Sequence, residues 1–372
     1  MTNDVLLVTA SLEHRSGTDV ATRDLASALL RAGWRPIVFA SRSGAVAEEI
    51  RRATIPVIDD LATLHTKPAL IHGNHGFELV AAMMRWPDVP ALFVCHDALA
   101  WHSVPPSLSR VRRVVAVDEN CRDRVVLEHG IPSDRVHVLA NAVDLQRFAP
   151  RAPLPPKPKR ALVFSNVARE ATFVAPIREA CAARGIDLDV VVRGAGRIID
   201  NPEKILADYD LVFAKARCAL EALAVGCGVV VCDERGLATY VDSFSVEHMR
   251  RLNFGARTLQ RPVTATLVGE EIDRYDAADA AKTCEIIRTS AGVDLLARQF
   301  IDLYDEVIAE GGVVDRDQES IEVSNYMQRI AAMIFRSGDI ATPSASARIV
   351  QRLARSRRLA PLLHRLYRVL EY

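Results

Sequence analysis

The stretch "CALEALAVGCGVVVCD", starting at Cys218, places one carboxylate, Glu221, in an otherwise apolar helical pattern. A carboxylate only accepts hydrogen bonds and can take two neighbouring hydroxyls at once. The helix is expected to open near Ala219, with Leu220 and Glu221 in its first turn. There the acid either complements the positive end of the helix dipole or belongs to a site, because the same end binds anions such as a diphosphate. Just upstream, "FAKAR" supplies Lys215 and Arg217. Arg is a bidentate fork and Lys a point charge, so the pair could neutralise a diphosphate leaving group; exposed cations are also ordinary surface decoration. A second set lies in "ALFVCHDALAWHS", a strand ending in His96 and Asp97. Imidazole can hydrogen-bond a hydroxyl in either role near neutral pH. "HGNHG" adds Asn74 and His75 at another strand end, where the same residues would also make an ordinary turn. Gly17 and Thr18 follow the first strand, where glycine permits positive φ and close approach of a ligand to the backbone.

These residues need a frame, and the chain supplies a repeating one. Short β-rich runs ("DVLLVTA", "RPIVFA", "PALIHG", "PALFVCH", "RVVAVD", "RVHVLA") alternate with helical patterns such as "DVATRDLASALLRAG", which closes on Gly33. Strand and helix in alternation predict a parallel sheet covered on both faces. "APRAPLPPKPKR" (149–160) then carries five prolines, a density that forbids helix and central strand, and reads as a linker. The alternation restarts with "RALVFSN", "LDVVVRG", "DLVFA" and "GVVVCD". Two such halves place a cleft between the carboxyl ends of two sheets, where ligands of open α/β folds bind. The expected organisation is a domain over 1–148, the linker 149–160, a second domain over 161–312 and a helical basic extension over 313–372.

Composition narrows the class without naming a partner. The 372 residues carry 47 basic and 47 acidic side chains, and 49% are hydrophobic, as in a globular protein with ample core. Seven cysteines show no C-x-x-C spacing, which fits buried thiols in a reducing compartment. No signal peptide and no membrane-crossing run is read, so a cytoplasmic location is expected. Between Arg348 and Tyr372, seven arginines interleave with leucines and a single acid, Glu371, a pattern that could lie on an anionic membrane. Nucleic acid is not expected as a partner, since aromatic residues for base stacking are nearly absent there.

Three of these segments, in order, resemble one family. "EHRSGTDVATRDLASALLRAGWRPIVFA", "HGIPSDRVHVLANAVDLQRFAP" and "ALEALAVGCGVVVCDERGLATYV" are similar to the opening, the pre-linker stretch and the donor-site helix of GT-B glycosyltransferases of the retaining, family-4 type. The resemblance implies two Rossmann-like doubly wound parallel-sheet domains facing a cleft, with a helical C-terminal extension. It implies transfer of a sugar, with retention of configuration, from a nucleotide-diphosphate sugar to a glycan or lipid-linked acceptor. No cofactor and no metal are expected, the helix dipole and cations taking the metal's place. On this reading Glu221 holds the ribose, while Ala219, Leu220, Lys215 and Arg217 serve the donor together with Gly17, Thr18, Asn166, Arg169 and Gly194. His96 and Asp97 are the catalytic candidates, and Asn74 and His75 face the acceptor. Departures exist: Phe213 stands where the family has a second Glu, Ala142 replaces a usual Gly, and no clear Lys follows Arg169. Phe213 and the missing Lys favour the rival reading of an inactive binding or assembly relative; a sugar-nucleotide epimerase of similar architecture is a further alternative.

Overall fold

The structure, a computed structural model, describes residues 3–165, 168–191 and 201–337. The chain forms two compact units, residues 1–319 and 320–372. The first unit contains both expected lobes. Lobe one carries strands β1 (Asp4–Leu12), β2 (Arg35–Ser43), β3 (Val57–Ile58), β4 (Leu70–Gly73), β5 (Ala91–Cys95), β6 (Val111–Ala116) and β7 (Val136–Val138). Helices α1 (Gly17–Arg31), α2 (Ala45–Arg52), α3 (Gly76–Arg85) and α4 (Glu119–Asp123) intervene. The sheet is parallel throughout, in the order β3-β2-β1-β4-β5-β6-β7. Val5, Leu6, Leu7 and Val8 of its interior strand β1 are fully buried, as expected for a sheet covered on both faces.

Lobe two repeats the pattern with β8 (Arg160–Phe164), α5 (Ala175–Ala182), β9 (Asp187–Val191), β10 (Leu211–Ala214), α6 (Ala216–Val225), β11 (Gly228–Asp233) and β12 (Gly236–Tyr240). Its sheet order is β12-β11-β10-β8-β9, and β12 runs antiparallel to β11. The sequence reading expects a wholly parallel sheet. Two residues separate β11 from β12, and the Asp233 carboxylate accepts the Arg235 amide at 2.7 Å. So short a connection can only reverse the chain.

Helices α7 (Val246–Arg251), α8 (Ala265–Ile272), α9 (Ala277–Ser290), α10 (Val293–Glu310) and α11 (Arg316–Ser337) follow. The chain crosses between the lobes twice. Val143 and Phe148, ahead of the linker, already belong to the core of lobe two, and Val143 pairs with the backbone around Gly292. The second crossing sends α10 back onto lobe one, although the sequence reading assigns residues 293–312 to the second domain. Arg31 donates to Asp294 at 2.6 Å, the Trp34 and Tyr304 rings lie 5.2 Å apart, and His72 Nδ1 meets the Tyr304 hydroxyl at 2.7 Å. An amphipathic helix announces that it has a face to bury, not which sheet receives it. Arg110, fully buried, ties the end of this return by bonding Met83, Trp86 and Val89 carbonyls and the Glu319 carboxylate.

Of the second unit, residues 320–337 are described and are helical. The basic segment 348–372 lies outside the described residues, as do Asn166 and Gly194. No described helix is long and apolar enough to cross a membrane.

Candidate active site

A cleft of about 690 Å³ opens between the lobes. From lobe one it takes residues after β1, β4 and β5, and from lobe two Ala216, Arg217 and Asn253. It therefore lies at the carboxyl ends of the strands, where open α/β sheets bind ligands. A smaller neighbouring cavity of about 130 Å³ is lined by Gly17, Arg147, Phe164, Arg217, Cys218 and Glu221. Gly17, Ser16 and Arg217 border both.

The lobe-two wall is the start of α6, which opens earlier than the sequence reading expects. One residue, Lys215, separates β10 from the helix, and Ala216 begins it with φ at 49°. A side-chain residue in this left-handed region is strained; the Ala216 amide bonds the Phe254 carbonyl at 3.0 Å, which fixes it there. Glu221 consequently belongs to the second turn, so relief of the helix dipole no longer accounts for it. The amides of Arg217 and Cys218 are left at the helix start without partners in the ladder. Ala219 and Leu220 turn into the apolar core and line neither cavity. Phe213 is buried in β10. With β10 and α6 one residue apart, no loop exists that could carry a second acid.

Glu221 is 6% exposed, and burial raises its pKa against the lowering influence of Arg217. Arg217 Nε donates to Glu221 Oε1 at 2.9 Å, and its Nη2 donates to Asp24 of lobe one. Asp24 also accepts Arg23 Nε at 2.9 Å, while Arg23 Nη1 reaches Glu49 at 2.7 Å. A buried chain of alternating charge thus joins the lobes beneath the cleft. The sequence reading misses Asp24 and Arg23, whose only signal is two charges in an otherwise buried helical stretch. Lys215 behaves differently from Arg217: it is paired with the fully buried Asp233 and lines neither cavity. Arg169 is exposed at the start of the turn after β8 and borders neither cavity.

Gly17 is the first residue of α1, capped by Ser16, and its φ is not positive. Its use is space instead of rotation: an added Cβ would meet no atom within 4 Å, so a ligand can approach the backbone. Thr18 lines the cleft, and its carbonyl anchors a hydrogen-bonded series. The Thr22 hydroxyl donates to Thr18 O at 2.9 Å, Asn74 Nδ2 donates to Thr22 Oγ1 at 3.2 Å, and Asn74 Oδ1 meets His96 Nε2 at 2.8 Å. Because a carbonyl can only accept, each link has one direction, and the His96 proton resides on Nε2. Nδ1 keeps its lone pair. His96 is half-buried; desolvation, then neighbouring His72, His102 and Arg217, push its pKa down to about 3. It is a neutral hydrogen-bond partner and a poor general base at neutral pH.

His75 is held from behind, its Nδ1 accepting the Ala10 amide at 3.1 Å with the Thr9 hydroxyl also at 3.1 Å. Burial, with His102 and His96 nearby, lowers its pKa to about 3. Asp97 spends Oδ1 on the amides of Leu99 and Ala100, at 2.6 and 2.8 Å, so it organises the loop after β5. Asn141 also lines the cleft and donates to Asn253 Oδ1 at 3.1 Å. Among the described residues, no group of three or more His, Cys, Asp or Glu is placed to hold a metal ion.

This architecture is the GT-B glycosyltransferase fold. Residues 15–147 match the family described as Glycosyltransferase Family 4, so the family-4-type resemblance holds across lobe one. Among solved structures, a glycosyltransferase from Rickettsia africae ESF-5 aligns over 82% of this chain and 99% of its own, with TM-score 0.60 and 14% identity. HepE of Anabaena, in complex with UDP and glucose, aligns over the same shares with TM-score 0.58 and 16% identity. At such identities the likeness is one of fold. No curated protein matches the sequence.

Proposed function

We propose that the protein is a metal-independent retaining glycosyltransferase that moves a sugar from a nucleotide-diphosphate sugar to a glycan or lipid-linked acceptor. One observation carries the reading: Arg217, in the first turn of α6, borders both the cleft and the cavity holding Glu221. The donor's ribose hydroxyls donate to Glu221 in the smaller cavity. Its diphosphate meets the Arg217 guanidinium and the free amides of α6, exchanging for Asp24 as the partner of Arg217. The sugar then projects into the cleft. The bond from its anomeric carbon to the diphosphate oxygen breaks, the acceptor oxygen bonds to the same face, and the acceptor proton leaves with the diphosphate. His96 orients a sugar hydroxyl through Nδ1. Arg217 and the helix start supply the countercharge that a metal would otherwise give.

The HepE complex makes uridine diphosphate sugars the first donors to try. Purified protein is incubated with a panel of sugar nucleotides and candidate acceptors in EDTA, and the product anomer is read by NMR. Turnover that survives EDTA, keeps the donor configuration and vanishes in Glu221→Ala supports the proposal; an inert protein across the panel overturns it. A binding or assembly role is the second reading, favoured by Phe213 and by the engagement of Arg217 with two carboxylates. Nucleotide-independent capture of a partner without turnover would establish it. We also place the protein in the cytoplasm, with residues 348–372 attaching it to anionic lipid, and in the synthesis of polysaccharide. Co-flotation with anionic vesicles, lost on truncation before Arg348, tests the attachment.

A further inference from the structure

With the donor assigned to α6, the opposite wall of the cleft remains to be explained. It carries a row of rings. Phe77 and Trp101 meet edge to face at 5.5 Å, Trp101 and His102 at 5.6 Å, and His102 and His75 lie 5.0 Å apart. All four line the cleft, and Phe77 and Trp101 are only half-buried. The loop that carries Trp101 is pinned from both sides. Asp97 caps its amides, and the buried Arg124 donates to the carbonyls of Asp97 and Ala100 at 2.7 and 2.8 Å. A platform fixed in this way loses little entropy when something stacks on it.

The same cleft is lined by hydroxyl-binding groups: Ser11, Glu13, His14 and Glu78. A wall that combines packed rings with such groups matches a pyranose ring, whose C–H bonds form one apolar face and whose hydroxyls lie at the perimeter. Its charge selects among pyranosides. The wall holds four carboxylates (Glu13, Asp19, Glu78, Asp97) and one guanidinium, Arg42, which is already paired with Glu13 at 3.3 Å. With four carboxylates against one guanidinium, the wall is negative in sum, and a carboxylate or phosphate on the bound sugar would meet charge of its own sign.

We infer that the acceptor is a non-anionic pyranoside, neutral or amino-bearing, whose ring stacks on Trp101 beside Phe77. The inference rests on the proposed transferase reading for the word acceptor, but the binding itself needs no donor. The fluorescence of the whole protein is titrated with methyl glucopyranoside, methyl 2-amino-2-deoxyglucopyranoside and methyl glucopyranosiduronate. Trp34 and Trp86 are buried, so a saturable change reports on Trp101. Saturation-transfer NMR reads the same binding without that reporter. We expect the neutral and amino sugars to bind at least tenfold more tightly than the uronate. Trp101→Ala should lose binding by both readouts, while Trp101→Phe loses the fluorescence change and keeps the NMR signal. Equal binding of the uronate, or sugar binding undiminished in Trp101→Ala, overturns the inference. If pyranosides bind as stated and no donor is turned over, the transferase reading fails and the sugar platform stands.

Discussion

The two walls of the cleft are built by different physics. The lobe-one wall is held by directed neutral hydrogen bonds and packed rings: Thr18 to Thr22 to Asn74 to His96, with Trp101 on a capped loop. Burial lowers the pKa of His75 and His96, so both are neutral. The lobe-two wall is held by ions, and its central cation, Arg217, is shared between Glu221 of its own helix and Asp24 across the cleft. Neutral hydrogen bonds fix geometry and keep it whatever enters. Ion pairs can be traded, because an incoming anion offers the guanidinium charge-assisted hydrogen bonds in place of the single one it gives to Asp24. One wall therefore holds a shape, and the other holds a charge in reserve.

The sharpest way to break this contrast is at Glu221. Glu221→Gln removes an ionised acceptor, and hydrogen bonds to charged groups contribute about 2–3 kcal/mol, so kcat/KM for the donor should fall about 100-fold. Thermal stability should not fall with it, because a carboxylate whose pKa is raised by burial is a burden on the fold. Unchanged donor kinetics would remove the residue from the site. Asp24→Asn leaves Arg23 and Arg217 without their shared partner, and we expect a loss of about 3 kcal/mol in urea denaturation. The donor KM should fall at the same time, since Arg217 no longer has to leave a carboxylate; a higher donor KM would show that Asp24 positions the cation instead of storing it.

Acid should act on the neutral wall. His72 and His75 are both buried, with pKa values lowered to about 3 against an unfolded value of 6.5. The unfolded chain binds protons first as pH drops, so the stability they contribute is full at pH 7 and is lost progressively between 6.5 and 3. At pH 5 the loss is about 2 kcal/mol for each. Glu221 has the opposite sign, its raised pKa removing stability as pH rises above 4.5. Urea midpoints that stay flat from pH 7 to pH 5 would contradict the histidine assignment. A smaller and more selective effect is expected from Arg124→Met, which loosens the loop under Trp101: acceptor KM up about tenfold, or about 1.4 kcal/mol, with donor KM unmoved. The smallest is Ala216→Gly, which relieves a left-handed alanine and should add about 1 kcal/mol of stability.

Much of the frame was legible along the chain because its signals are local. Buried parallel strands are continuous runs of Val, Ile and Leu, helices repeat every three to four residues, and a proline-dense stretch can be neither. β12 and the start of α6 were less legible. Asp233 and Gly236 mark a turn, which does not by itself say that the next strand pairs back antiparallel, and a helix that begins on a strained Ala216 has no capping residue to announce it. The return of α10 to lobe one was hidden for a different reason, since its partner surface is more than 260 residues away, as Arg31 and Asp294 illustrate.

The sequence by itself determined the two α/β lobes, the presence of Arg217 and His96 at element ends, and a lone acid, Glu221, in an apolar helix, because periodicity and residue chemistry are written within a few positions. Only the tertiary structure decided that Glu221 lies one turn inside its helix, that Arg217 is held by Asp24, that Asp97 is occupied by its own loop, and that Trp101 faces the cleft. Each of these depends on which distant groups share a low-dielectric space, where charge pairing and desolvation set what a side chain can do.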